Sequence, residues 1–136
     1  MIVLDTHAWI WLMEGDPKME KEPLLRKLYR LIPNRGIFIS EISGWEVGML
    51  VAKKRIQISG TLNRWLQDAY QAPGIQPYRL TPEVIVESIN LPDSFHGDPA
   101  DRIIVATARV LNAELVTKDK EIIKYGKKGN LKVISI

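Results

Sequence analysis

Asp98-Pro99-Ala100-Asp101-Arg102, running straight into Ile103-Ile104-Val105-Ala106-Thr107-Ala108, is the stretch on which the reading of this chain turns. Pro99 suits the first position of a helix, where its missing N–H costs nothing, so Asp98 becomes the N-cap and Asp101 the third helical residue. At about 100° per residue Asp101 falls on the face that carries Ile104, Val105, Ala108 and Asn112, with Arg102, Ala106 and Arg109 opposite. Asp101 therefore looks inward. An inward carboxylate must be hydrogen-bonded, paired or metal-bound, because an uncompensated buried charge costs several kcal/mol or more.

Outward from that helix, short apolar runs alternate with helical patterns. Ile2-Val3-Leu4, Ile37-Phe38-Ile39, Leu115-Val116-Thr117 and Lys132 to Ile136 read as strands. A weaker strand over Ile75 to Leu80 is interrupted by Pro77, which suits an edge. Helices are expected after Asp5-Thr6, from Pro23 to Ile32, from Ser40-Glu41 to Ala52, over Leu62 to Tyr70, from Thr81-Pro82 to Ile89, and from Lys118 to about Tyr125. Glu14-Gly15-Asp16-Pro17 ends the first of them, and Leu91 to Gly97 is a loop carrying His96. Such alternation implies an α/β fold, a parallel sheet with helices on both faces, in which ligands bind beyond the carboxyl ends of the strands.

Bulk properties narrow the options. A chain of 136 residues, 46% hydrophobic and 26% charged, has the size and composition of a single globular domain, residues 1–136, with no repeat or linker. No apolar run approaches the roughly 20 residues of a membrane span, and Met1 to Asp5 has neither a basic start nor a cleavage site. A cytoplasmic protein without a membrane partner is expected. Zero cysteines removes thiolate nucleophiles, disulfides and thiolate metal sites together.

The acids fall where the fold concentrates chemistry. Asp5 follows the first strand immediately, Asp119 is the second residue after the fourth, and Asp98 and Asp101 head a helix. Glu46 lies six residues past Ser40, about 9 Å along its helix, and shares a face with Ile42, Met49 and Leu50. Singly, each has an ordinary explanation as a cap or a solvated side chain. Together at one sheet edge they repel, each pair by about 4 kcal/mol at about 4 Å and an effective dielectric near 20. A divalent cation removes the conflict, and oxygen-only ligation without a chelating histidine pair selects Mg2+ or Mn2+. Setting those five acids aside leaves eleven against nineteen Lys and Arg, so the rest of the molecule carries about +8. A metal-filled acidic pocket in a basic surround suits a nuclease acting on a polyanion.

Ile2-Val-Leu-Asp5-Thr-His, Ser40-Glu-Ile-Ser43-Gly-Trp-Glu46, His96-Gly-Asp98-Pro-Ala-Asp101-Arg and Leu115-Val-Thr117-Lys-Asp119 resemble, in order and spacing, the PIN-domain family, and most of all its VapC-type toxins. The resemblance spans essentially the whole chain. It implies a three-layer sandwich around a mostly parallel five-stranded sheet, a Mg2+ or Mn2+ site and endonucleolytic cleavage of RNA. Asp5, Glu46, Asp101 and Asp119 match the family's four acids; Asp98 is either an outer ligand or only a cap. Thr117 matches a hydroxyl position that orients water or a carboxylate. Thr6, Ser43, His7, His96 and Arg102 lie within the matching motifs as supporting positions, His7 as a structural hydrogen-bonder or site residue and His96 as a loop residue placed for phosphate contact.

The same resemblance implies a homodimer and a cognate protein antitoxin. Trp9, Trp11, Leu12, Met13, Trp45, Met49 and Trp65 offer more large apolar surface than so small a sheet needs, so some should line a partner groove, with the tryptophans serving as core or interface before base stacking. Two other classes fit parts of the sequence. An Asp-dependent phosphotransfer domain also places Asp after its first strand, although an aspartyl phosphatase wants a second Asp where His7 stands. A non-catalytic nucleic-acid-binding module would keep the acids as caps and bind RNA without regard to Mg2+.

Overall fold

The computed structural model describes every residue, Met1–Ile136. Five strands, β1 (Ile2–Leu4), β2 (Ile37–Ser40), β3 (Ile75–Tyr78), β4 (Glu114–Thr117) and β5 (Lys132–Ser135), form one sheet in the order β3-β2-β1-β4-β5. Every pairing is parallel, so the sheet is wholly rather than mostly so. Seven helices cover it: α1 (Thr6–Glu14), α2 (Glu22–Leu31), α3 (Glu41–Ala52), α4 (Leu62–Tyr70), α5 (Pro82–Ile89), α6 (Pro99–Val110) and α7 (Lys120–Gly126).

The alternation of side chains along each strand divides the core into two layers. Ile2, Leu4, Ile37, Ile39 and Val116 face one side and pack with Trp9 and Ile10 of α1, Leu24 and Leu28 of α2, Val47 of α3 and Trp65 of α4. Val3, Phe38 and Leu115 face the other and pack with Val84 of α5, Ile104, Val105 and Ala108 of α6, and Ile122 of α7. Pro77, which has no N–H to give, sits on β3 at the sheet's edge, where the sequence places it.

The connection from β1 through β2 to β3 builds the sheet in one direction, and β4 then returns to the far side of β1. The topological switch point is therefore the crevice between the carboxyl ends of β1 and β4, where Asp5 and Thr117 lie.

Two elements depart from the expected picture. Asp16 caps a short 3-10 turn, Pro17–Met19, that drops Met19 fully into the core where only the end of α1 was expected. In α6 the face opposite Asp101 is covered as well: Ala106 is fully buried beneath α5. Arg102 lies along that face and donates to the carbonyls of Ser88 at 3.0 Å, Ile89 at 3.3 Å and Phe95, tying α5 and the 91–97 loop to α6.

Candidate active site

Three of the helices that start at this sheet edge have an aspartate as N-cap. Asp5 Oδ1 accepts from Ala8 N (2.8 Å), Asp98 Oδ1 from Asp101 N (2.8 Å), and Asp119 Oδ1 from Glu121 N (2.8 Å) and Ile122 N (3.0 Å). The ordinary explanation of these acids as caps thus holds, but it occupies one oxygen of each. The second oxygens of Asp98 and Asp119 accept no hydrogen bond from the protein, and the whole carboxylate of Asp101 accepts none. Capping and ligation are not alternatives here, since one carboxylate can do both.

Asp5, Glu46, Asp98, Asp101 and Asp119 line one cavity of about 200 Å3, together with Thr6, His7, Ile104 and Lys118. Hydroxyl groups brace its deeper acids. Thr117 Oγ1 donates to Asp5 Oδ2 and accepts from Asp119 N at 3.0 Å, linking the acids that follow β1 and β4. Thr6 Oγ1 lies 2.5 Å from Glu46 Oε1 and 3.1 Å from Ser43 Oγ; having one proton, it gives that proton to the carboxylate and receives Ser43's. Thr117 and Thr6 thereby touch site acids directly, while Ser43, fully buried, acts through Thr6.

The electrostatics are those of charge crowded without compensation. Burial, and then the neighbouring Asp98, Asp119, Glu46 and Asp5, push the carboxyl of Asp101 up to about 7. Burial also raises Asp5, against the hydrogen bonds from Thr117 and Ala8, and raises Glu46, against the bond from Thr6. Lys118 is the one lysine or arginine lining the cavity. Burial and Lys118 together hold His7 below the ordinary histidine value, which favours neutral imidazole; its ring meets the edge of Trp11 at 6.0 Å.

Other expected positions fall elsewhere. His96 is exposed and does not line the cavity. Arg102 turns from the acids to the backbone carbonyls described above. Trp9 and Trp65 are core side chains, whereas Trp45 is 62% exposed, so only part of the expected apolar set faces outward. Lys118 is not among the expected positions; its place between the end of β4 and the capping Asp119 is the sequence signal that puts it at the cavity.

The donor set is five carboxylates without a sulfur ligand, which suits a hard divalent cation. No three of the acidic or histidine side chains have converged into a ready chelate, so binding requires carboxylates to turn inward. The bare carboxylate of Asp101 and the spare oxygens of Asp98 and Asp119 are the groups free to do so. Asp5, by contrast, is only 7% exposed with both oxygens hydrogen-bonded, a poor presentation for a phosphoryl acceptor.

The sequence profile of the PIN domain matches residues 2–128. Ribonuclease VapC22 of Mycobacterium tuberculosis (strain ATCC 25618 / H37Rv) is 33% identical over 122 residues, 89% of this chain and 88% of that protein. Among solved structures, VapBC2 from Rickettsia felis bound to a promoter DNA fragment superimposes with a TM-score of 0.68 at 21% identity, covering 99% of this chain and 98% of that one. DNA-bound VapBC from Salmonella typhimurium gives 0.66 at 13% identity, over 98% and 96% of the two chains. A toxin-antitoxin complex from Klebsiella pneumoniae gives 0.63 at 21%, over 99% and 97%.

Proposed function

The chain belongs to the PIN-domain family, among its VapC-type members, and on that premise we propose that it is a metal-dependent endoribonuclease, the toxin of a toxin-antitoxin pair. The observation that carries this reading is the unpartnered carboxylate of Asp101, set among four further acids at the switch point of a parallel sheet. Such a group is an unfavourable ornament for a fold and a useful one for holding a cation.

Asp101 and Asp119, each with an oxygen that accepts no hydrogen bond, would hold Mg2+ or Mn2+ together with Asp5, whose hydrogen-bonded oxygens each keep a second lone pair, and with Glu46 and Asp98 beside them. When bound, the ion supplies positive charge against the phosphodiester and a water of lowered pKa. The protein's own groups prepare that chemistry. Thr117 fixes Asp5, and Thr6 fixes Glu46 with Oε1 occupied and Oε2 open to accept a proton from water. The amino ends of α1 and α6 direct their partial positive charge towards the cavity, and Lys118 faces it, favouring a phosphate over a neutral ligand.

An antitoxin partner is supported by the toxin-antitoxin complexes among the structural neighbours. A homodimer is supported by an apolar strip on α5, where Val86 is 58% and Ile89 68% exposed beside Ile85. No helix is long and apolar enough to cross a membrane. The test is cleavage of a mixed single-stranded RNA by the purified protein. Products should appear with Mg2+ or Mn2+, vanish in chelator and be absent for Asp5→Asn. Equal cleavage in chelator would overturn the metal-dependent reading.

A further inference from the structure

A second cavity, of about 360 Å3, adjoins the acidic one and shares Glu46 and Asp98 with it. Its apolar lining comes from Trp45, Met49 and Leu50 on α3 and from Pro99 and Ala100 at the start of α6. Lys53 and Arg55 complete it, and neither is engaged in an ion pair. Glu46 on α3 and Lys53 at that helix's C-cap are seven residues apart, so their backbone positions are separated by about 10 Å along the helix. Trp45 is the most exposed of the four tryptophans, on a helix whose neighbouring Gly44 and Val47 are buried.

We propose that this cavity is a nucleotide subsite of the nuclease, in which an unpaired base flanking the scissile phosphate stacks on Trp45 while Lys53 and Arg55 hold the adjoining backbone phosphate. The inference rests on the ribonuclease reading and adds to it where the strand runs and what selects it. Two features identify the occupant as single-stranded RNA. The cavity is continuous with the acidic site, so a strand whose phosphate lies among the acids continues into it. It also joins an exposed aromatic face to two cations that stand in no ion pair, about 10 Å from the acidic end of the cavity by backbone position, the combination by which proteins hold unpaired bases and their backbone. A duplex cannot present a base to Trp45, so the subsite restricts cleavage to unpaired segments.

The test uses binding, separately from cleavage. Wild-type protein in Mg2+ is titrated with a short phosphorothioate RNA of unpaired sequence and with an abasic oligomer of equal length and charge, following tryptophan emission and its quenching by acrylamide. The base-bearing strand should shield Trp45 and the abasic one should not. Trp45→Phe should bind within about threefold of wild type, and Trp45→Leu should lose about tenfold or more for the base-bearing strand only, in line with the strength of base stacking. Lys53→Ala should weaken both oligomers alike and lower the salt dependence by about one phosphate contact. Thermal unfolding of each variant establishes that it is folded. Equal binding by Trp45→Leu and wild type would overturn the proposal. So would Trp45 emission already shielded without RNA in proportion to protein concentration, which assigns this face to a second copy. If the protein shields Trp45 with RNA yet cleaves nothing with either metal, the ribonuclease reading fails and the subsite stands.

Discussion

Replacing Asp101 by Asn should make the metal-free protein more stable, although Asp101 belongs to the proposed machinery. Asp101 is raised from the ordinary 3.8 to about 7 by burial and by four neighbouring carboxylates. At about 1.4 kcal/mol per pKa unit this corresponds to about 4 kcal/mol for a fully desolvated group. The side chain is partly open to solvent, and screening reduces the figure to about 1–2 kcal/mol. Between about pH 4 and pH 7 the folded chain holds a proton on Asp101 that the unfolded chain has lost, so wild-type stability falls as pH rises through this window. Asn carries no such proton, and the variant's stability should be flatter with pH. Calorimetric unfolding in chelator at pH 5 and pH 7.5 should place the variant several degrees above wild type at the higher pH and close to it at the lower. Saturating Mn2+ should then raise the wild type and leave the variant nearly unmoved. A variant no more stable than wild type at pH 7.5, or an unchanged pH slope, would show that Asp101 is compensated within the fold and that the electrostatic case for a cation is wrong.

Other substitutions test the supporting structure. Thr117→Val deprives the buried Asp5 Oδ2 of its donor; calorimetry should show a loss of about 1–3 kcal/mol, recovered in part by Thr117→Ser. Gly44→Ala would set a Cβ 2.1 Å from the hydroxyl of Tyr70 and 3.2 Å from its ring; denaturant unfolding should show a cost of about 1–3 kcal/mol, smaller when combined with Tyr70→Phe. Arg102→Gln removes the donors that hold the carbonyls of Ser88, Ile89 and Phe95; amide exchange should quicken across residues 88–97, while cleavage falls far less than for Asp101→Asn.

Much of this is legible in the sequence, for identifiable reasons. Ile2-Val3-Leu4 and Leu115-Val116-Thr117 are too short for helices and too apolar for a surface, so they read as buried strands, and an acid after such a strand is at the binding edge by construction. The Asp98-Pro99 pair marks its own helix start. What the sequence could not carry was the identity of what covers each surface. The Arg102 face of α6 looks like a solvent face until α5 is docked on it, and Met19 reads as loop until Asp16 caps a turn beneath it. Trp45 and Trp65 look alike in sequence, yet one is exposed and the other is core, because the difference lies in which helix stands opposite. The Thr6 bridge between Ser43 and Glu46 spans α1 and α3 and has no local signature.

The central claim is that the carboxylates of Asp5, Asp101 and Asp119, with Glu46 and Asp98 beside them, form a divalent-cation site. The most direct measurement is anomalous diffraction from crystals of the protein grown with Mn2+. The account predicts a manganese peak within ligating distance of Asp5, Asp101 and Asp119, lost in crystals of Asp101→Asn. A manganese-free cavity at Mn2+ concentrations that support RNA cleavage, or a peak held by other residues, would contradict it.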